Sequence, residues 1–357
     1  FQTLQDEIKA LPIDLLNVQD WLCLNDILNW NGLLHSGYVS REKAVDLAIT
    51  QGKENPKKKD ILKTALKAAL DRNNKTLIDE FLGNLKKICP DAIDVRELES
   101  CCELMNGNLE TFRQKWPHPA STAEHSFRKY INHKTVGIVG PGYYSEDHLD
   151  NTRDFDVHVR INWRNNATDN TVNPKKTKID VTLYNAHSAR LMLTKPSISE
   201  HLQELDFCLI RRQNSNFQHT NNSRFAIRKI SEYPGSLYKS LNAIPAMLFD
   251  CILNGSSRVK IYNADFYSRN KHHHAGYRNT ESHIDNLRPK LRNLQPVMAN
   301  HDLIGQIKMM RNLANKSIIE LDARLSEVIL SWSDQNYIST VFSNLISNLK
   351  NESKHGS

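Results

Sequence analysis

The chain has 357 residues, 39% of them hydrophobic, and its 47 Lys and Arg outweigh 40 Asp and Glu to give a net charge of +7. That length predicts two domains, or one large domain with an appendage, and the apolar share suffices for a core. No apolar run approaches the ~18 residues of a membrane span, and no secretory leader is read at the start. The basic balance favours anionic partners, but the charges are dispersed, as on solvated faces. Six cysteines, Cys23, Cys89, Cys101, Cys102, Cys208 and Cys251, show no paired spacing, which predicts a reducing, cytoplasmic compartment without disulfides and buried thiols. Phe1 stands where Met would be, as in a piece of a longer protein.

Residues 1–118 read as helical. Ala44, Val45, Leu47, Ala48 and then Ile61, Leu62, Ala65, Leu66, Ala69, Leu70 recur at helical spacing. Gly37, Asn73 and Asn106, about 33 to 36 residues apart, each precede an amphipathic stretch, which suggests a tetratricopeptide-like array or a plain bundle. Lys53 to Lys59 reads as an exposed interhelical loop. Pro117 and Pro119 mark a boundary near 118, where the composition changes.

The second part, 119–350, alternates short apolar runs with helical stretches, which predicts a mostly parallel sheet covered on both faces. Val136–Val139 is a buried strand by its β-branched content, and Gly140-Pro141-Gly142 turns tightly after it. Such a turn lets backbone approach a phosphate. Further strands are expected at 155–162, 179–185, 207–210 and 259–262. A helix is expected over 236–253, kinked or started late by Pro245 and ended by Gly255. Ligands on such sheets sit beyond the carboxyl ends of the strands, so Asn162, Asn185 and Tyr267 are expected to converge. Residues 212–225 and 271–300 read as loops, the latter holding His272, His273, His274, Tyr277 and His283. A helix is expected near His301-Asp302, with Asp302 as its N-cap. Residues 351–357 read as a disordered tail.

The order of VGIVGPG, DFDVHVRIN, IDVTLYN, VKIYNADFY and NHDLIGQIKMMRNLANKSIIEL resembles the sialyltransferases of glycosyltransferase families 42 and 29. The resemblance covers roughly residues 134 to 325. It implies an α/β, GT-A-like fold, preceded here by the all-α helical region. It also implies an inverting enzyme that moves a 2-keto sugar acid, sialic acid or Kdo, from its CMP ester to a glycan hydroxyl. Carried over residue by residue, Gly140 and Gly142 lie under the nucleotide, and Asn162 and Asn185 hold phosphate and ribose. Tyr267 and Tyr277 donate to the phosphate, and His301 is the general base. Its pKa is expected to be lowered by the helix dipole. His274 and His283 are candidates for the acceptor side or a second active-site role. Pro141, Asn242-Ala243-Ile244, Asn263 and Gln306 depart from the family's pattern.

No metal or other cofactor is implied, and nucleic acid is not an expected partner. The setting implied is bacterial capsule or lipopolysaccharide synthesis in the cytoplasm or at the inner membrane surface. The N-terminal helices would dock other polysaccharide-synthesis proteins. Two alternatives stand beside this: a metal-dependent nucleotide-diphosphate-sugar transferase using Asp154 and Asp156, and a non-catalytic helical-repeat binding module.

Overall fold

The computed structural model of the chain describes residues 2–118, 121–140, 155–162, 179–185, 189, 205–211, 226–268 and 298–355. Its N-terminal part is helical: α1 (Gln2–Ala10), α2 (Val18–Trp30), α3 (Leu34–Glu54), α4 (Lys59–Asp71), α5 (Lys75–Ile88), α6 (Ile93–Asn106) and α7 (Leu109–Lys115). Neighbours in sequence pack on one another from α2 to α7. The turns after α4 and α6 fall where the sequence predicts, with Asn73 at φ 50° and Gly107 at φ 91°. Gly37 is the exception. It lies inside α3, where an added Cβ would meet Asn29 Oδ1 of α2 at 2.4 Å, so it serves close helix packing and not a turn. Residues 55–58, with Lys57 and Lys58 exposed, form the expected surface loop. All six cysteines are free; Cys101, Cys102, Cys208 and Cys251 are buried, whereas Cys23 is exposed, against expectation.

Helix α8 (Thr122–Ile131) leads into a sheet whose seven strands run β1 (Thr135–Val139), β2 (Val157–Ile161), β3 (Val181–Tyr184), β4 (Phe207–Ile210), β5 (Ala226–Lys229), β6 (Arg258–Tyr262) and β7 (Ile319–Leu321). Their spatial order is β5-β4-β3-β2-β1-β6-β7. Every pairing is parallel, with Ile138 between Val159 and Ile261 in the centre. Buried faces on both sides explain the near-continuous apolar runs, such as VTLY and FCLI, which are buried at every position. Helix α9 (Ala243–Leu253) precedes β6, α10 (Leu303–Asn315) precedes β7, and α11 (Asp334–His355) closes the chain. α9 begins at Ala243, which puts Pro245 in its first turn, where its missing N–H costs nothing. Gly255, at φ 98°, follows the end of α9. The backbone of 351–355 continues α11, where the sequence reading has a disordered tail.

One apolar cluster runs from Leu34, Leu62 and Leu66 of the helical layer through Phe112 and Phe127 to Val136, Ile138 and Ile261 of the sheet. Phe249 of α9 stands 5.7 Å from Phe112 and 5.3 Å from Trp116, ring centre to ring centre. Arg113 of α7 donates to the Ile252 carbonyl at 2.8 Å and the Ser256 carbonyl at 3.0 Å, and so caps the end of α9. No described helix is long and apolar enough to cross a membrane.

Candidate functional site

Because all seven strands are parallel, their carboxyl ends share one edge of the sheet. That edge carries Gly140 after β1, Asn162 after β2, Asn185 after β3, Arg211 after β4 and Asn263 after β6. The chain steps outward from β1 to β5, then returns to place β6 on the other side of β1. A sheet opens a ligand crevice where its strand order reverses, here between β1 and β6. Gly140 and Asn263 flank that point.

Their contact is close. Gly140 N–H donates to the Tyr262 carbonyl at 2.8 Å, and an added Cβ on Gly140 would sit 2.5 Å from the Asn263 carbonyl oxygen. Asn263 is 7% exposed, and its Oδ1 has no hydrogen-bond partner among the described residues. Such a buried acceptor is costly unless something donates to it. The Asn263 backbone is held at φ 51° by Asp322, whose Oδ2 accepts from its N–H at 2.8 Å while Oδ1 caps the following turn at Leu325.

The next residues are strained. Phe266 (φ 47°) and Tyr267 (φ 64°) adopt left-handed backbone, which bulky side chains avoid. Three bonds hold them there: Tyr267 N–H to Asp265 Oδ1 at 2.9 Å, Tyr337 Oη–H to the Phe266 carbonyl at 2.6 Å, and Asn344 to the Ser268 carbonyl at 2.9 Å. Strain of this kind persists where surroundings enforce it, and it clusters at binding sites. Tyr267 is half-buried.

Two strands away, Asn162 is left-handed at φ 51°, a conformation Asn tolerates through its short polar side chain. Its Oδ1 accepts from Asn185 N–H at 3.1 Å, and its own N–H donates to the Leu183 carbonyl at 2.9 Å. The two expected ligand residues therefore form one unit at the β2 and β3 tips.

His301 lines a recess with Asn25, Asn29 and Tyr38 of the helical layer. It precedes α10, whose N-cap is Asp302, as the sequence predicts; Asp302 Oδ1 accepts from Gly305 N–H at 3.1 Å. The imidazole pKa is lowered to about 4, chiefly by burial and next by the positive charge of Arg211 at the β4 tip. Lys239 acts in the same sense, and the Ser240 backbone pulls the other way. Burial and two cations thus act on the ring, at the start of α10 where the sequence places it. The ring is neutral at pH 7, and its buried Nδ1 has no hydrogen-bond partner among the described residues. With strands about 5 Å apart, Arg211 is one step from Asn185 and two from Asn162.

Arg211 is the feature that sequence reasoning passed over. It is 7% exposed, its Nε has no hydrogen-bond partner, and it makes no ion pair within 4 Å among the described residues. The signal available was an apolar strand, FCLI, running straight into Arg211. Gln306, which stands where the family pattern has an acidic residue, is 1% exposed and accepts from Asn242 N–H at 2.9 Å, tying α10 to the start of α9.

Asp156 lies at the opposite, amino edge. Its Oδ2 accepts from the Thr135 N–H and hydroxyl, each at 2.8 Å, which staples β2 to β1. This places Asp156 away from the carboxyl edge of the sheet. Asp154, Gly142, Tyr277, His274 and His283 lie outside the described residues. No group of three potential metal ligands occurs among the described residues. No family model matches this chain, and no curated protein or solved structure matches it either.

Proposed function

We propose that the carboxyl edge of the sheet is the site of a sialyltransferase-like, GT-A-like inverting glycosyltransferase. Its donor is a CMP ester of a 2-keto sugar acid, sialic acid or Kdo, and its acceptor is a glycan hydroxyl. The observation that supports this reading is that Gly140, the Asn162–Asn185 pair and Arg211 share one sheet edge, with the charge of Arg211 helping to hold His301 neutral.

In this reading His301 Nδ1 takes the proton of the acceptor hydroxyl as that oxygen attacks the anomeric carbon. The bond from that carbon to the phosphate oxygen breaks, CMP departs with the electron pair, and the anomeric centre inverts. The leaving phosphate gains negative charge. Fixed donors and cations aimed at such charge act strongly in a desolvated site. Asn162, Asn185 and Tyr267 supply polar groups, and Arg211 supplies a guanidinium suited to a planar anion such as the sugar's carboxylate. Gly140 and the Asn263 acceptor line the crevice where the cytidine would lie, and a base amino group is a fitting donor to Asn263 Oδ1.

The experiment is a thermal-shift screen of the whole chain with CMP, CMP-Neu5Ac and CMP-Kdo, against AMP, GMP and UDP-sugars, with and without EDTA. Selective stabilisation by the cytidine monophosphates that survives EDTA is expected. Equal response to all nucleotides, or none to any cytidine nucleotide, refutes the reading.

A further inference from the structure

We infer that Arg41, on the N-terminal helix α3, is a positioning residue for His301, so that the helical layer is a working part of the site and not only a docking module. The inference rests on the reading of His301 as the base.

The geometry begins with Asp302, the neighbour of His301 in the chain. Arg41 grips it with a two-pronged fork: Nε to Oδ1 at 2.7 Å and Nη2 to Oδ2 at 2.8 Å. Both residues are buried, with side-chain exposures of 3% and 4%. Paired charge-assisted bonds of this kind fix orientation as well as adding energy. Arg41 is itself immobilised, bonding Asp71 of α4 through Nη2 and Glu42 through Nη1 at 3.0 Å. Burial opposes its charge, but Asp302 and Asp71 more than compensate and raise its pKa.

A second anchor lies further along α10. Lys308 reaches Asp71 at 2.9 Å and Glu42 at 3.3 Å, so the first turns of α10 are pinned to α3 and α4 at two heights. Gly305 makes the close approach possible: an added Cβ there would lie 2.5 Å from Asp302 Oδ2 and 2.9 Å from Arg41 Nη2. His301 thus joins a helix start that cannot rotate or slide without breaking buried ion pairs. The helical layer also supplies a wall of the recess into which His301 opens, through Asn25, Asn29 and Tyr38. An imidazole displaced by about 1 Å costs on the order of 10²-fold in rate, which is the scale a positioning residue commands.

The test compares Arg41→Lys and Asp302→Asn with wild type in the whole chain. Asn remains a good N-cap, so Asp302→Asn keeps α10 while weakening the fork. Arg228→Lys, which perturbs a buried ion cluster elsewhere, controls for loss of stability alone. With CMP-Neu5Ac or CMP-Kdo as donor, kcat is expected to fall roughly 10²-fold in both variants, with donor KM within about threefold, and Arg228→Lys to leave kcat near wild type. Titration of the ring by long-range ¹⁵N spectra is expected to show the His301 pKa shifted away from about 4 in both variants, because the ring's surroundings change. Unchanged kcat and ring pKa in folded variants overturn the inference. A silent wild-type enzyme instead overturns the functional reading and leaves the ring titration to decide the role of Arg41.

Discussion

The carbonyl oxygen of Asn263 lies 2.5 Å from the point a Cβ on Gly140 would occupy. The β1 and β6 tips meet so closely at the reversal of strand order that only hydrogen fits between them. Gly140→Ala must push the two tips apart, at a cost of about 1–3 kcal/mol in unfolding free energy. CMP affinity should fall at least about tenfold, if the crevice holds the nucleotide. Gly83, in α5, has nothing within 4 Å of its added Cβ. Gly83→Ala should therefore stabilise by about 0.5–1 kcal/mol and leave CMP binding alone. Urea unfolding of the two variants, with calorimetric titration of CMP, checks both.

The pH dependence has a definite direction. The His301 pKa is lowered to about 4 from the ordinary 6.5, so the unfolded chain takes up a proton that the folded chain refuses. The stability this contributes is complete above pH 6.5 and lost as pH falls toward about 4. His301→Gln should remove that part of the acid destabilisation. In catalysis, the acid limb of kcat/KM reports the free enzyme and is expected near pH 4. The limb of kcat should lie higher, since a bound donor brings a phosphate and a carboxylate toward the ring and favours its charged form. A limb of kcat/KM at the ordinary histidine value would contradict the geometry.

Arg228 on β5 tests the support of the sheet rather than its tips. It bonds Glu124 of α8 at 2.6 and 2.8 Å and Asp250 of α9 at 2.5 and 2.8 Å, with all three residues at most 3% exposed. Its guanidinium also stacks 4.5 Å from the Phe127 ring centre. Arg228→Met leaves two buried carboxylates without their cation and should cost about 3–5 kcal/mol. Chemical denaturation measures this directly, and a loss below 1 kcal/mol would mean the cluster is solvated.

Local pattern carried much of this architecture. β1, β2, β3, β4 and β6 were legible because strands buried on both faces leave unbroken β-branched and aliphatic runs. The helix stretch before β6 was legible too, with Pro245 and Gly255 bracketing it. β5 was not, because AIRK looks polar: Arg228 becomes a core residue only through Glu124, 104 positions away, and Asp250. Gly37 misled for a related reason, since a glycine that serves helix contact and one that serves a turn read alike. α11 was legible but passed over: Tyr337, Ile338, Val341, Phe342, Leu345, Ile346 and Leu349 recur at helical spacing among its Asn and Ser residues.

At the site, the strand-end residues Asn162 and Asn185 could be foreseen, because parallel strands oblige their tips to share an edge. His301 and its N-cap Asp302 were foreseen as well, though not the burial that lowers the imidazole pKa. The Arg41–Asp302 fork joins residues 261 positions apart, and no spacing rule reaches that far. Asp156 stands at the amino edge because it enters β2 rather than leaving it, and its position in the sequence says so.

His301 is proposed to activate an acceptor at a CMP-sugar site. The most direct measurement is CMP release from CMP-Neu5Ac and CMP-Kdo by the whole chain, followed by ³¹P NMR, for wild type and His301→Ala, each with EDTA. Release by wild type that resists EDTA and falls by on the order of 10²–10⁴-fold in His301→Ala, with CMP binding retained, is the predicted result. Equal release by the two proteins, or turnover that disappears with EDTA, would contradict it.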